Sequence, residues 1–251
     1  MTGGSGKLGS QLKLVFPNGL SPTHESLDIT NKDATAHYLR KESIDTVLHC
    51  AALTNIRYCE EHREEAFNVN VNGTRFLLEA LESSSVDRPY FVYVSTACVF
   101  PGDLPDKYYS EEDVPYPKNF YAVTKLFGEC ISNSLSKRLE VLVVRTNFIE
   151  RMKWPYPKAF TDRFATYLYS DQVAKAIKGL VDTRTAGLVH VCGDKRMNMF
   201  NFAKLTDPEV KPMTLQDYNG PPLTVNMSLT SNKIPLIHFE TSRRSAGEQR
   251  K

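Results

Sequence analysis

No stretch of the 251-residue chain is apolar for long enough to cross a bilayer. The longest such run, residues 90–100, is interrupted by Ser95 and Thr96 and falls well short of the roughly 18 residues a spanning helix needs. Charge of one sign is also lacking: 31 Lys and Arg against 29 Asp and Glu leave +2. Neither a nucleic-acid-binding nor a membrane-surface protein is expected from that balance. The five cysteines (Cys50, Cys59, Cys98, Cys130, Cys192) are odd in number, scattered and without a C-x-x-C pair, which excludes a disulfide scaffold or a zinc knuckle. The six histidines show no H-x₃-H or H-E-x-x-H spacing, so no zinc site is expected. No basic segment followed by an apolar one opens the chain, so no secretory signal is read, and a cytoplasmic, reducing compartment is the expectation. There is no internal repeat and no low-complexity tract.

What is present is an alternation of strand and helix signals. Apolar residues at helical spacing mark residues 7–16, with Leu8, Leu12, Val15 and Phe16 on one side. Asn31 and Asp33 are placed to cap a helix running to Lys41. Compact β-prone runs at 45–50, 90–94, 140–145 and 187–191 read as strands buried on both faces. Helices are expected over 64–81 and 121–135, and a third opened by Ser170 and Asp171. Such repeated units imply an α/β fold: a doubly wound, Rossmann-like parallel sheet with right-handed crossovers, binding its ligand beyond the carboxyl ends of the strands. The expected division is a dinucleotide-binding domain over 1–146 and 170–192, a small substrate cap over 147–169 and 193–239, and a flexible tail over 240–251. The aromatic residues of the first cap segment (Trp154, Tyr156, Phe160, Phe164, Tyr167) read more simply as packing than as a sugar-stacking surface.

Glycines at 3, 6 and 9 stand immediately before the first helix. Glycine there permits a tight turn and close approach of backbone to a pyrophosphate, which the helix N-terminus attracts. Two things are missing around this loop. Only Met1 and Thr2 precede Gly3, where such a fold spends about five residues on its first strand, so that strand reads as truncated. No acid ends the second strand to hold a ribose diol; Thr23 and His24 lie there, which favours a 2′-phosphate and hence NADPH, with NADH left open.

Tyr121 and Lys125 form the chain's one Tyr-x-x-x-Lys. Four residues apart, they share one face of a helix, and they follow a buried strand ending in Ser95-Thr96. An ammonium beside a phenol favours the phenolate and is expected to bring its pKa down from ~10 towards neutrality. With Thr96 holding a carbonyl oxygen, Tyr121 could pass a proton while a nicotinamide exchanges hydride.

These residues together resemble the extended short-chain dehydrogenases/reductases, and within them the dTDP-4-dehydrorhamnose reductases. The resemblance is carried, in order, by residues 2–9, 27–30, 50–54, 69–74, 94–100 and 121–125 with Gly128 and Glu129. It implies Gly3, Gly6, Lys7 and Leu8 at the cofactor pyrophosphate, Asp28 and Ile29 at the adenine, and Ala51, Ala52 and Thr54 along the ribose and phosphates. It implies Thr96, Tyr121 and Lys125 as the catalytic set, the last two also touching cofactor, with Asn70 anchoring the helix beside them. The expected function is NADP(H)-dependent reduction of a nucleotide-linked 4-keto-deoxysugar by a protein that forms a homodimer or acts alone. The alternatives are an NAD-dependent sugar-nucleotide epimerase and a non-catalytic, nucleotide-binding regulatory subunit.

Overall fold

In the computed structural model, which describes residues 1–134 and 138–240, four parallel strands form the central sheet. Their order is β1 (Thr46–His49), β2 (Tyr90–Thr96), β3 (Glu140–Thr146) and then the strand Gly187–Val191. Alternation of side chains across each strand, with both faces covered, explains why all four carry unbroken apolar runs. Tyr90, Val92 and Val94 point to one face, with Leu142 and Val144, and pack on Leu8 and Leu12 of α1 (Lys7–Val15) and on Val173 and Ile177 of α7 (Ser170–Asp182). Phe91 and Tyr93 point to the other, with Val141 and Val143, against Leu39 of α2 (Lys32–Lys41) and Leu77, Leu78 and Leu81 of α5 (Gly73–Glu82). Helices therefore cover both faces, as the doubly wound reading requires. Asn31 caps α2 by accepting from the Ala34 N–H (3.0 Å).

Beside β1, where a further strand is expected, the chain offers one parallel bridge. The Thr2 N–H donates to Leu48 O (3.0 Å) and the Cys50 N–H donates to Thr2 O (3.3 Å). That bridge places Gly3 at the carboxyl end of β1, the position a full strand would have delivered it to.

Two readings of helix boundaries are corrected. The helix expected over 64–81 is three pieces: α4 (Arg63–Phe67), a π-helical turn (Asn68–Asn72) and α5. The cause is Asn70, which is buried and bonded inwards; π turns of this kind gather at functional sites. Ser170 and Asp171 lie within the first turn of α7 rather than capping it, and Gln172 reaches back to accept from the Tyr169 N–H (3.3 Å). α6 (Phe120–Ser134) is the helix expected from Tyr121; its expected last residue, Leu135, lies outside the described residues, as does the expected tail from 241 onward.

Residues 147–169 pair with residues 193–240 above the carboxyl ends of the strands. Lys158–Phe160 joins Lys211–Met213, and Phe164–Ala165 lies between Asn226–Met227 and Met197–Asn198. Trp154 is buried with Ala159, Ala203 and Val210, a packing role as expected.

One buried cluster ties three elements together. The Glu129 carboxylate on α6 accepts from Ser95 Oγ on β2 and from Arg145 on β3, at 3.0 Å from Nε and 2.6 Å from Nη2. Both ion-pair partners are buried, and the guanidinium also lies over the Phe100 ring. Breaking one partner of such a pair leaves a bare interior charge. Glu129→Ala is expected to lower unfolding stability by about 3–5 kcal/mol, and the double variant Glu129→Leu/Arg145→Met by less. Urea unfolding midpoints check this; a single-variant loss under about 1 kcal/mol would show that the pair holds little.

Candidate functional site

The glycine loop is shaped by what it omits. Gly3 has φ +71°, and a Cβ there would sit 2.6 Å from the Ala51 nitrogen. A Cβ on Gly9 would sit 2.1 Å from Gly3 O. Both positions thus need glycine for the loop to fold back under α1. Gly6 is the N-cap of α1 and contributes no side-chain cap, and the first turn carries no acid. The leading N–H groups of α1 therefore stay open to an anion.

Two neighbouring cavities share Gly3. The larger, about 460 Å³, runs along the strand ends and is lined by Gly3, Gly6, Lys7, Leu8, Ala52, Thr54, Thr96, Tyr121 and Lys125 among others. The smaller, about 240 Å³, holds Asp28, Ile29 and Ala51. The residues expected at pyrophosphate, ribose and reacting end thus line the larger cavity, except that Ala51 joins the adenine pair in the smaller one. The smaller also takes in Lys13, Ser21, Thr23 and His24. The Asp28 carboxylate is occupied by its own turn, accepting from the Thr30 N–H (2.9 Å) and hydroxyl (2.7 Å), which hold its pKa below the usual carboxylate range. What faces this end of the cleft is one lysine, one histidine and hydroxyls. Lys13 and Ser21 were not legible as site residues, since a single helical lysine and a loop serine carry no pattern.

The reacting end is held by hydrogen bonds at both ends of one helical turn. Asn119 accepts from the Ala122 N–H (3.0 Å), and Glu60 accepts from the Phe120 N–H (2.7 Å), so α6 begins fixed. Glu60 therefore turns towards the start of α6. Asn70 accepts from the Leu53 N–H (2.7 Å) and donates to Leu53 O (2.9 Å) and Thr124 Oγ1 (2.9 Å), while the Thr124 hydroxyl donates to Tyr121 O (2.7 Å). The expected anchoring by Asn70 thus takes the form of a bridge from the β1 loop to the backbone of Tyr121 itself.

The Thr96 hydroxyl lies beside the Tyr121 phenol, and Thr96 Oγ1 accepts from the Cys98 N–H (3.1 Å). Lys125 is buried in the same wall. The expected electrostatics differ, however. Burial raises the Tyr121 phenol above its ordinary value, with the Thr96 hydroxyl pulling the other way. The Lys125 ammonium rests 4.1 Å over the Tyr93 ring, with Cys50 and His49 as its electrostatic neighbours. Burial brings Lys125 down to about 8. The phenol is thus kept as an acid, and the lysine is the group that titrates near neutrality.

His49 is core, bonded to Thr2 Oγ1 (2.7 Å) and Thr74 Oγ1 (2.9 Å). Glu111 is locked by the His190 N–H (2.9 Å) and the Ser231 hydroxyl (2.6 Å). Among the described residues there is no acidic, cysteine or histidine group that could hold a metal ion, and no helix long and apolar enough to cross a membrane.

A family model described as the RmlD substrate binding domain matches residues 1–222. The dTDP-4-dehydrorhamnose reductase of Aggregatibacter actinomycetemcomitans is 27% identical over 230 residues, covering 81% of this chain and 76% of that protein. The bovine methionine adenosyltransferase 2 subunit beta is 24% identical over 247 residues, covering 86% of this chain and 72% of that protein. Among solved structures, a dTDP-4-dehydrorhamnose reductase from Bacillus anthracis in complex with NADP superposes with a TM-score of 0.83 at 22% identity, covering 95% of this chain and 93% of that one. That likeness shows the shared Rossmann-like fold.

The cationic lining of the smaller cavity is open to test. Lys13→Ala is expected to weaken NADPH binding by roughly three- to tenfold, the range for a partly exposed charge pair, and to leave NADH within about twofold. Nicotinamide fluorescence titration reads both; equal effects on the two cofactors would remove Lys13 from 2′-phosphate recognition.

Proposed function

The chain belongs to the RmlD substrate binding domain family, and from that premise we propose that it is an NADP(H)-dependent reductase of a nucleotide-linked 4-keto-deoxysugar. The observation that carries the reading is the convergence of Thr96, Tyr121 and Lys125 on one cleft floored by the glycine loop. The dTDP-4-dehydrorhamnose reductases among the relatives support the substrate class, and the NADP held by the solved neighbour supports the cofactor.

The residues suit that cofactor. Glycine at 3 and 9 lets the loop fold tightly against Ala51 and under α1, and the uncapped helix end it presents suits a pyrophosphate, with Gly6, Lys7 and Leu8 at that end. Ala52 and Thr54 line the path between, and Asp28, Ile29 and Ala51 the adenosine end. Bound there, NADPH supplies the hydride for the carbonyl carbon. Thr96 positions the carbonyl oxygen beside the phenol, and Tyr121 Oη gives it the proton. Lys125, a buried ammonium one helical turn on, would stabilise the phenolate that remains and help to hold the cofactor.

A second reading rests on the likeness to the methionine adenosyltransferase subunit beta: a nucleotide-binding regulatory subunit without turnover. One variant separates the two. Tyr121→Phe should bind NADPH within about twofold of wild type and lose roughly 10²- to 10⁴-fold in turnover of dTDP-4-dehydrorhamnose. A wild-type chain that binds NADPH but reduces no keto-sugar favours the regulatory reading.

The pH dependence has a definite sign. Below about 8 Lys125 is the ammonium, and above it the charge is lost, while the raised phenol stays protonated throughout. For the reduction, kcat/KM should be level at neutral pH and fall as pH rises through about 8. A profile that instead rises across that range would overturn the assigned roles.

A further inference from the structure

Thr146 and Tyr167 line the larger cavity, and their hydroxyls are buried with no hydrogen-bond partner among the described residues. Thr146 pairs in register with Thr96 on the neighbouring strand. In-register parallel neighbours present their side chains on the same face, so its hydroxyl stands next to the catalytic one. Tyr167 comes from the segment above the sheet and is 3% exposed. Its ring packs on Phe202, with centroids 4.8 Å apart. The polar groups near its phenol are already engaged: Arg163 Nε donates to Thr224 O (2.9 Å), Arg163 Nη2 lies 3.4 Å from Met227 Sδ, and Cys98 Sγ lies 3.6 Å from the same sulfur.

Packing does not account for that hydroxyl. A phenylalanine would make the same ring contacts, and a buried hydroxyl without a partner carries a desolvation cost with nothing in return. The hydroxyl has no partner within the described protein, and the cavity that its residue lines is where one can be supplied. The same cavity is lined by Phe148, Ile149, Met199 and Met227, apolar surfaces that suit the C–H face of a sugar ring, while the two unpartnered hydroxyls suit its oxygens. We propose that Tyr167, together with Thr146, is a hydrogen-bonding subsite for a ring hydroxyl of a carbohydrate substrate, and so a specificity-determining residue of the reductase. The inference rests on the reductase reading above. Burial also pushes the Tyr167 phenol up to about 12, so it remains a donor at every working pH. A site built to bond a hydroxyl rejects an analogue without one far better than an apolar pocket rejects an added one, which is how Tyr167 would set substrate choice.

Tyr167→Phe tests the subsite. The expected result is a KM for dTDP-4-dehydrorhamnose raised about tenfold with kcat moved by less than about threefold. NADPH affinity and inhibition by dTDP, which lacks the sugar, should stay within about twofold, and the melting temperature should be unchanged or higher. An unchanged KM, or a KM and a dTDP inhibition constant that rise together, overturns the subsite and leaves the reductase reading standing. Wild-type enzyme that binds NADPH yet reduces nothing overturns that reading instead. Calorimetric binding of dTDP-glucose against dTDP then decides the subsite: it stands if the preference for the sugar shrinks in the variant, and falls if the preference persists.

Discussion

The arrangement of the reacting end depends on one buried carboxylate. Glu129 receives Ser95 from β2 and Arg145 from β3, and each donor is the residue immediately before a threonine that faces the cleft, Thr96 and Thr146. The same glutamate sits one turn beyond Lys125, which is one turn beyond Tyr121. A single ion pair thus sets the axial position of α6 against two strands and, through them, the spacing of four polar side chains that make no direct contact with Glu129. A purely apolar contact would let α6 slide by a fraction of a turn at little cost, whereas two charged hydrogen bonds of fixed geometry do not.

Much of this was legible from the residue order. Strands buried on both faces leave runs such as residues 90–94, which no amphipathic helix imitates, and the sheet followed from them. Tyr121 and Lys125 were recognisable because helical spacing and a hydroxyl-ending strand converge on them. What escaped did so for physical reasons. A single π turn interrupts the α period for only one turn, so residues 64–81 look unbroken until the inward hydrogen bonds of Asn70 are seen. Met199, Met227 and Tyr167 reach the cleft from segments whose order carries no period at all. Their placement is set by short strand pairings between distant residues, and Tyr167 differs from the packing aromatics around it only in where its hydroxyl lies.

Electrostatics were the least legible. A lysine four residues from a tyrosine suggests a depressed phenol pKa, yet direction depends on which way each side chain leaves the helix and how deeply it is buried. Here Lys125 turns towards the Tyr93 ring and Tyr121 towards Thr96, so desolvation governs the phenol. The outcome suits reduction, in which the tyrosine must begin as an acid. It also assigns the pH-sensitive step to the cation.

The wide turn at Asn68–Asn72 bears on how such a chain tolerates change. An extra residue in a regular helix rotates every later side chain by about 100°, which would swing Leu77, Leu78 and Leu81 of α5 off the sheet. A π turn absorbs the surplus residue locally, so the helix downstream keeps its facing while the surplus is spent turning Asn70 inwards. The anchor beneath Tyr121 is in this sense an insertion that the helix has accommodated, and a length variant at this one point trades the anchor for a regular helix while leaving the rest of the framework in place.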